Sequence, residues 1–155
     1  MTTVFERATP ADGEAMLRIQ IRAFESDAAL YPGVEPGGPP GYDSIEGLLD
    51  RIQQDETVKI VHDGEIVGGM TVFDKGNGHY HLDTLFIDPE YHNLGIGSKA
   101  MEYLEQAYSA TKWTLDTPLY AVRNQHFYEK FGYVKAGEWQ EEGTGLILIK
   151  YEKSG

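Results

Sequence analysis

The chain has 155 residues, no cysteine and a formal net charge of -12. This length predicts one domain over residues 1–155, and the negative charge argues against a nucleic-acid partner, because such proteins carry basic patches. No stretch is apolar for long enough to cross a membrane, and the N-terminal sequence lacks a signal-peptide pattern, so we expect no membrane partner. The absence of cysteine excludes a cysteine nucleophile and fits a reducing compartment, so a cytoplasmic protein is expected.

The first third of the chain predicts one strand and two helices separated by a long loop. A strand is expected over residues 2–8, followed by a helix over residues 9–24 with Thr9 as its N-cap. Residues 30–44 are dense in proline and glycine and predict a long irregular loop, a kind of segment that often carries function. A second helix is expected over residues 44–54.

The remaining sequence predicts hairpins and two further helices. The pair Asp63-Gly64 favours the positive φ angles of a tight turn and therefore predicts a hairpin over residues 57–73. The elements expected after it are a strand at 79–89, a helix from 91 onward, a strand at 112–117, a short helix that ends at Gly132, and strands at 133–140 and 144–151. Because the strands form antiparallel hairpins flanked by helices, the expected fold class is α+β.

Two glycines, Gly95 and Gly97, stand at the start of the helix that follows residue 91. Glycine costs a helix roughly 1 kcal/mol relative to alanine, so their presence needs a reason. A helix N-terminus has unpaired backbone N–H groups and a positive dipole end, and residues without a Cβ would let a phosphate approach these amides. The alternative is that the glycines only allow the helix to pack closely on the sheet.

The segment GIGSKA, residues 95–100, also matches the dinucleotide-binding pattern G-x-G-x-x-G/A, and Asp116 lies about 20 residues further on, where that pattern needs an acid. In that fold the first glycine follows a strand directly, whereas here the segment DPEYHNL separates the strand end at Ile87 from Gly95. No G-x-x-x-x-G-K-[ST] motif is present either. The context therefore argues against a dinucleotide site.

Three segments together resemble the GCN5-related N-acetyltransferase (GNAT) family: IDPEY at a strand end, HNLGIG at the following helix start, and NQHFYEKFGY downstream. Residues 92–97 fill the family signature Q/R-x-x-G-x-G/A, except that His92 stands where the family has glutamine or arginine. The resemblance covers nearly the whole chain. It implies an α/β sandwich with a mixed, mostly antiparallel sheet of about six or seven strands, flanked by about four helices and splayed at the coenzyme site.

By this resemblance the protein binds acetyl-coenzyme A as a co-substrate and transfers the acetyl group directly to an amine, which makes it an acyltransferase. The pyrophosphate is implied to sit on the amides of residues 93–98, with the pantetheine arm beside the preceding strand. The implied coenzyme-binding residues are His92, Asn93, Leu94, Gly95, Ile96, Gly97 and Ser98 at the helix start, Leu85, Phe86 and Ile87 on the strand, and Asn124, Tyr128 and Lys130 downstream. Simpler interpretations exist for Asn124, as the N-cap of the short helix, and for Lys130, as an exposed lysine.

Acetyl transfer needs a donor for the developing oxyanion, a base for the amine and an acid for the departing thiolate. The resemblance implies a backbone N–H near Leu85 as the oxyanion donor and Tyr128 as the acid. The alternative for Tyr128 is a place in an aromatic core patch. His81 and Asp83 are both candidates for the base, because they lie on the strand that would line the site and can take a proton there.

The same strand offers a metal-binding alternative. His79, His81 and Asp83 form the pattern H-x-H-x-D, which places three ligands on one strand face. Three ligands are a minimum, so we expect no metal. Two other functions stay open: a non-catalytic coenzyme A-binding or sensing domain, which needs no acid–base groups, and a structural or interaction protein, which needs no phosphate site.

The resemblance also implies two segments at the acceptor site, the loop from Asp27 to Ser44 and the turn at residues 141–145. The side chains of interest in the loop are the aromatic residues Tyr31 and Tyr42 and the acids Asp27, Glu35 and Asp43. These acids are compatible with a cationic amine, carried by a small molecule or a peptide, and equally with a solvated surface loop. The family suggests homodimerisation, and the apolar segment 144–151 is expected to be a buried strand or a dimer interface.

Overall fold

The fold is taken from a computed structural model that describes residues 2–34, 37–38 and 41–154. The described residues form seven strands: β1 (Thr3–Arg7), β2 (Glu56–His62), β3 (Glu65–Gly76), β4 (His79–Ile87), β5 (Lys112–Pro118), β6 (Val134–Gln140) and β7 (Ile147–Ser154). They also form four α-helices: α1 (Gly13–Ala29), α2 (Ile45–Gln54), α3 (Ile96–Ala107) and α4 (Val122–Lys130). Glu35, one of the acids expected near the acceptor, lies outside the described residues.

All seven strands belong to one sheet, in the order β1-β2-β3-β4-β5-β7-β6. Neighbouring strands are antiparallel except β4 and β5, which run parallel. α3 lies in the connection between these two strands, since parallel strands need a long crossover. The expected α+β fold, a mixed and mostly antiparallel sheet flanked by four helices, is confirmed.

Helices cover the sheet on both faces. One face packs on α3 and α4 around a large apolar core that includes Met70, Leu104 and Trp113. The other face packs on α1 and α2 around Met16 and Phe86. α1 lies on β3 and β4, and α2 lies on β2. Among the helices of the described ranges, none has the length and apolar character that crossing a membrane requires.

Two tight turns connect the central strands. Asp63 and Gly64 have positive φ angles of 49° and 85°, which confirms the hairpin turn expected between β2 and β3. Asn77 and Gly78 form the corresponding turn between β3 and β4, with φ angles of 55° and 79°. From this turn β4 pairs with β3 over residues 79–87.

A β-bulge interrupts the ladder between β3 and β4. Thr71 pairs with Thr84, whereas Val72 pairs with Leu82, so Asp83 is the extra residue. A bulge re-aims the side chains around it and is frequent next to active sites. Here it directs the Asp83 side chain towards the face covered by α2.

The first helix begins later and ends later than the sequence indicated. The carboxylate of Asp12 accepts a hydrogen bond from the backbone N–H of Thr9 (2.9 Å) and holds a separate 3₁₀ turn in front of α1. The helix then runs to Ala29, so Asp27 lies in α1 and not in the loop. The expectation that the loop begins at Asp27 is therefore wrong.

The short helix α4 also has a different start. Its N-cap is Ala121, and the helix begins at Val122 because the N–H of Ala121 closes a turn onto the carbonyl of Pro118 (3.0 Å). Asn124 is therefore the third helical residue, and the expectation that it caps the helix is wrong.

The last two strands decide between the two interpretations of the apolar segment 144–151. β7 lies between β5 and β6, and Leu148, Ile149 and Tyr151 are buried there. This segment is a buried interior strand, which favours the first of the two interpretations. β6 forms the edge of the sheet, and all of its residues are exposed.

Candidate active site

β4 and β5 pair over three residues and then diverge. The paired residues are His79, Tyr80 and His81, with the partners Lys112, Trp113 and Thr114. Beyond them β4 continues to Ile87 and β5 to Pro118 without mutual register pairs. We call the opening between residues 82–87 and 115–118 the β4–β5 wedge. The expected splay of the strands is confirmed, and the free backbone edges can pair with an extended ligand as an added strand would.

The N-terminus of α3 lies beside the end of β4. Gly95 is its N-cap, with a left-handed φ of 76° that favours glycine. The first backbone hydrogen bond of the helix runs from the N–H of Lys99 to the carbonyl of Gly95 (3.1 Å). The amides of Ile96, Gly97 and Ser98 precede this bond and are the free donors of the helix end. A Cβ at position 95 would meet no atom within 4 Å, so the space beside Gly95 is open.

Gly97 has a different reason to be glycine. A Cβ there would lie 3.3 Å from the ring of Phe127 and 3.5 Å from Cδ1 of Ile87. Gly97 therefore lets α3 approach α4 and the end of β4 closely. Of the two interpretations from the sequence, close packing applies to Gly97, whereas open space and backbone conformation apply to Gly95.

The turn before α3 is held by His92. Nε2 of His92 lies 2.9 Å from the carbonyl oxygen of Ile87, so the imidazole is hydrogen-bonded to the end of β4. Asn93 follows with a left-handed φ of 65°, and Leu94 is exposed. In this arrangement the side chain of His92 positions the turn, while the backbone of the turn leads to the free amides.

Tyr128 lies in an aromatic patch on α4. Its ring centroid is 5.3 Å from that of Phe127 and 5.9 Å from that of Tyr133. Burial raises the pKa of Tyr128, and the negative charge of Asp27 raises it further. The phenol is therefore neutral and carries its proton at physiological pH. The patch and a proton-donating role are compatible in this position.

Asp27 faces α4 from the end of α1. Burial raises the pKa of its carboxyl group, and a hydrogen bond with Asn124 and the charges of His92 and Arg123 oppose this rise. The sequence marked Asp27 only as a loop acid, because the length of α1 was underestimated. Lys130, on the exposed side of α4, holds its Nζ 5.9 Å from the ring centroid of Phe127.

His81 lies at the last paired position before the strands diverge. Its Nδ1 is 2.8 Å from Oγ1 of Thr114, and Nε2 of His79 is 2.9 Å from the same oxygen. The Nε2 atom of His81 lies 3.8 Å from a carboxylate oxygen of Asp116. Burial lowers the pKa of His81, and the charges of Asp116 and Asp83 counteract this effect. The imidazole is therefore neutral near pH 7 and can accept a proton.

Asp83, the other base candidate, is engaged in an ion pair. Nε of Arg51 on α2 lies 3.1 Å from Oδ2 of Asp83. Burial raises the pKa of the carboxyl group, and the charge of Arg51 lowers it. Burial outweighs the charge of Arg51, so the pKa of Asp83 is raised overall. Asp83 is the weaker candidate for a base on geometric grounds, because its carboxylate is already held by Arg51 on α2.

Thr117 is a polar residue that the sequence did not single out. It lies on β5 inside the wedge and is 2% exposed. Among the described residues, its Oγ1 has no hydrogen-bond partner. Its side chain shares a sheet face with Leu115, which belongs to the core under α3 and α4. A buried hydroxyl without a partner costs roughly 1–3 kcal/mol, so this oxygen calls for an explanation.

An open cavity of about 360 Å³ adjoins His81, on the face of the sheet opposite to the one that packs on α3 and α4. Its lining consists of Lys75, His79, His81, Thr114, Asp116, Trp139 and Lys150. From the sequence, Asp116 is noted only as the acid that the dinucleotide-binding pattern needs for a ribose. The alternation in KWTLDT could have placed Thr114 and Asp116 on one face, but the pairing of β5 with β4 and β7 is not readable from that pattern.

The metal-binding alternative and the acceptor loop can also be compared with the structure. In the ranges 2–34, 37–38 and 41–154, no three histidine or acidic side chains come together in a way that could hold a metal ion. In the loop, Tyr31 accepts a hydrogen bond from the N–H of Arg123 (3.3 Å), and Tyr42 donates one to Glu25 (2.8 Å). These two tyrosines therefore tie the described part of the loop to α4 and α1.

Solved structures with the same fold include N-acetyltransferases. A GCN5-related N-acetyltransferase from Rhodopseudomonas palustris superposes with a TM-score of 0.79 at 23% identity, over 100% of this chain and 97% of that one. The PaiA N-acetyltransferase from Thermoplasma acidophilum, solved in complex with coenzyme A, superposes with a TM-score of 0.75 at 17% identity over 100% of both chains. At these identities the likeness establishes the fold.

The model of the acetyltransferase (GNAT) family matches residues 15–133, and the chain belongs to this family. A curated relative, S-(2-succino)cysteine N-acetyltransferase of Bacillus subtilis (strain 168), is 26% identical over 96% of this chain and 94% of its own length. The uncharacterised protein YrkN of the same organism is 39% identical over 44% of this chain and 38% of its own length. By this membership the chain is an N-acetyltransferase, an enzyme that transfers an acetyl group to an amine.

Proposed function

We propose that this enzyme transfers the acetyl group directly from acetyl-coenzyme A to the amine of a small molecule or peptide while both substrates are bound. The observation that carries the proposal is the β4–β5 wedge, which has the free amides of α3 at one end and His81 at the other. A thioester on an extended arm and an amine can meet between these points. The chain has no cysteine, so an acyl-cysteine intermediate is excluded and direct attack is favoured.

Coenzyme binding is assigned to the start of α3 and the edge of β4. The amides of Ile96, Gly97 and Ser98, together with the positive end of the helix dipole, suit a diphosphate. The open space in front of Gly95 accommodates a bulky phosphate group. The free edge of β4 at residues 85–87 offers hydrogen bonds to the amide groups of a pantetheine arm.

Polar groups on the other side of the wedge support the same placement. The unpartnered hydroxyl of Thr117 is the kind of group that a bound pantetheine amide would satisfy. Asn124, whose amide also bonds to Asp27, and the neutral phenol of Tyr128 are the proposed coenzyme contacts of α4. Lys130 is assigned to the phosphates, whereas His92 is assigned to the turn that presents the amides, because its Nε2 already bonds to the end of β4.

His81 is proposed as the base that removes a proton from the attacking amine. The hydroxyl of Thr114 has one hydrogen and two histidine partners, so one imidazole must donate to it. If His81 donates through Nδ1, Thr114 donates to His79, and Nε2 of His81 has a free lone pair. Asp116, 3.8 Å from this nitrogen, then stabilises the imidazolium that forms. Asp83 is the alternative base.

The remaining steps follow from the chemistry of a thioester. The amine nitrogen forms a bond to the acetyl carbon, and a backbone N–H near Leu85 stabilises the oxyanion. The carbon–sulfur bond then breaks, and the departing thiolate takes a proton from Tyr128. The raised pKa makes Tyr128 a weak acid, so its proton is transferred only as negative charge develops on the departing sulfur.

The acceptor is proposed to be a small amine, with the described part of the loop at residues 30–44 and the turn at 141–145 beside it. The Bacillus subtilis relative is named for an amino acid derivative, which supports an acceptor of amino acid type. A homodimer in the cytoplasm is proposed as the working form. The edge strand β6, whose residues are all exposed and include Val134 at 61%, supports such an association.

The test is thiol release from acetyl-coenzyme A in a screen of amino acids, polyamines and peptides, with the acetylated product identified by mass. We expect release with at least one amine. Binding of acetyl-coenzyme A without release for any amine would favour the alternative, a non-catalytic coenzyme A-sensing domain. The feature that favours this alternative is His92, which hydrogen-bonds to the end of β4 and stands where the family signature has glutamine or arginine.

A further inference from the structure

The cavity beside His81 has a charge opposite to that of the protein. The chain has a formal net charge of -12, yet the cavity is lined by two lysines, Lys75 and Lys150, and one acid, Asp116. Its two histidines are neutral near pH 7, because burial lowers the pKa of both. The cavity is therefore a positively charged region on a strongly acidic molecule.

Asp116, the single acid of the cavity, forms no ion pair with either lysine of the cavity. Oδ1 of Asp116 accepts a hydrogen bond from Nε1 of Trp139 (3.1 Å), and Oδ2 faces Nε2 of His81 at 3.8 Å. Among the described residues, no carboxylate lies within 4.0 Å of the Nζ atom of Lys75 or Lys150. Both ammonium groups are thus available to an anionic group in the cavity.

The backbone keeps these lysines beside the reaction site. Lys150 on β7 is the register partner of Asp116 on one side and of Gly137 on the other, where a Cβ would touch nothing within 4 Å. Lys75 holds its Nζ 5.9 Å from the ring centroid of Phe73, and that ring stacks on His81. The space above Lys150 is therefore open, and both cations lie next to the proposed base.

We propose that this cavity binds the acceptor and that the acceptor carries a carboxylate as well as its amine, with Lys75 and Lys150 as the residues that select for the carboxylate. The inference rests on the proposed function, because it places the amine at His81. Trp139, which is 44% exposed, lines the same cavity and offers an apolar surface to the hydrocarbon part of such a molecule. A polyamine would face two ammonium groups and is disfavoured.

Binding is tested first, with the coenzyme A complex of the full chain. The probe is S-carboxymethyl-L-cysteine, the cationic comparison is spermidine, and the signal is the indole N–H of Trp139 in the NMR spectrum. The indole of Trp113, which is 2% exposed in the core, is the internal reference. We expect S-carboxymethyl-L-cysteine, but not spermidine, to shift the Trp139 signal.

In the Lys150→Gln variant the apparent affinity for S-carboxymethyl-L-cysteine should fall by about 10- to 100-fold, the usual effect of losing a charged contact. Lys135→Gln, an exposed lysine outside the cavity, should change nothing.

Turnover separates this inference from the proposed function. Thiol release should be faster with S-carboxymethyl-L-cysteine than with S-(carbamoylmethyl)cysteamine, which lacks both carboxylates. A Trp139 response without thiol release from any amine would uphold the carboxylate site and contradict the proposed function. A Trp139 signal that stays still with S-carboxymethyl-L-cysteine, or that responds to spermidine instead, would overturn this inference, even if polyamines release thiol.

Discussion

Nδ1 of His81 lies 2.8 Å from Oγ1 of Thr114, across the last register pair that joins β4 to β5. The contact fixes the imidazole at the point where the two strands begin to diverge. It also orients the other ring nitrogen towards Asp116. A histidine held in this way is in position to accept a proton from an amine that approaches the wedge.

The first prediction concerns pH. Because burial lowers the pKa of His81, kcat/KM of the native enzyme should rise with pH through a pKa below the ordinary histidine value of about 6.5. His81→Gln should lose this acidic limb, and kcat/KM at neutral pH should fall by roughly 10²-fold. The measurement is kcat/KM from pH 5 to 8, a range chosen around that histidine value.

His79→Gln is the matched control for His81. It bonds to the same Thr114 hydroxyl but lies farther from the wedge, so its pH profile should keep the acidic limb. An unchanged limb in His81→Gln would remove His81 as the base. If the limb then disappeared in Asp83→Asn, the proton acceptor would be Asp83.

The second prediction concerns the leaving group. Tyr128→Phe keeps the ring that packs on Phe127 and removes the proton that is proposed to reach the thiolate. We expect kcat to fall by roughly 10²-fold while KM for acetyl-coenzyme A changes little, as measured by steady-state thiol release. Tyr133→Phe, in the same aromatic patch, should keep its turnover. Equal turnover in Tyr128→Phe and the native enzyme, with acetyl transfer rate-limiting, would reject the role.

The third prediction is that one substitution stabilises the coenzyme-free protein and weakens coenzyme A binding. Thr117→Val replaces an unpartnered buried hydroxyl by a methyl group, so the coenzyme-free protein should become more stable by about 1 kcal/mol. If Thr117 serves the pantetheine arm, the same change should weaken coenzyme A binding by about fivefold to tenfold. Denaturant unfolding and calorimetric titration measure the two effects.

Thr57→Val provides the comparison for Thr117. Thr57 is equally buried, but its hydroxyl is hydrogen-bonded to that of Thr71 (3.0 Å), so its loss should destabilise the fold and leave coenzyme binding unchanged. If Thr117→Val binds coenzyme A as tightly as the native protein does, the Thr117 hydroxyl does not contact the coenzyme.

The fourth prediction separates the two glycines of α3. Gly95→Ala places a Cβ at a φ of 76° and should cost about 1–2 kcal/mol of stability, whereas Gly95→Asn should cost less because asparagine tolerates this conformation. Gly97→Ala should disturb the contact with the ring of Phe127 instead. Unfolding free energies and coenzyme A affinities of the three variants give the comparison. Equal stability of Gly95→Ala and the native protein would contradict the conformational argument.

The sequence predicted the parts of the fold that depend on local patterns. Turn residues such as Asp63-Gly64 require positive φ angles, and the apolar periodicity of α3 is strong, so both elements are present in the structure. The helix expected from residue 91 onward begins only at Ile96, because the left-handed Gly95 is its N-cap. Helix ends were predicted less well. α1 continues past Phe24, and α4 begins before Asn124, because contacts with the rest of the chain determine where the two helices end and start.

The site was predictable only where it lies within one segment. The helix start at 92–97 and the strand at 79–87 could be marked because their residues are neighbours in the sequence. Thr117, Lys75 and Lys150 could not, since their relevance depends on which strands neighbour β5 and on where β4 and β5 separate. Those are long-range properties that strand patterns do not encode.

The most direct test of the account is an NMR titration of the protein with coenzyme A. The central claim is that the amides of Ile96, Gly97 and Ser98 hold the diphosphate. These three amide signals should therefore move most and saturate together, and Gly95→Ala should weaken the titration. If coenzyme A binds while these signals stay in place, the account is contradicted.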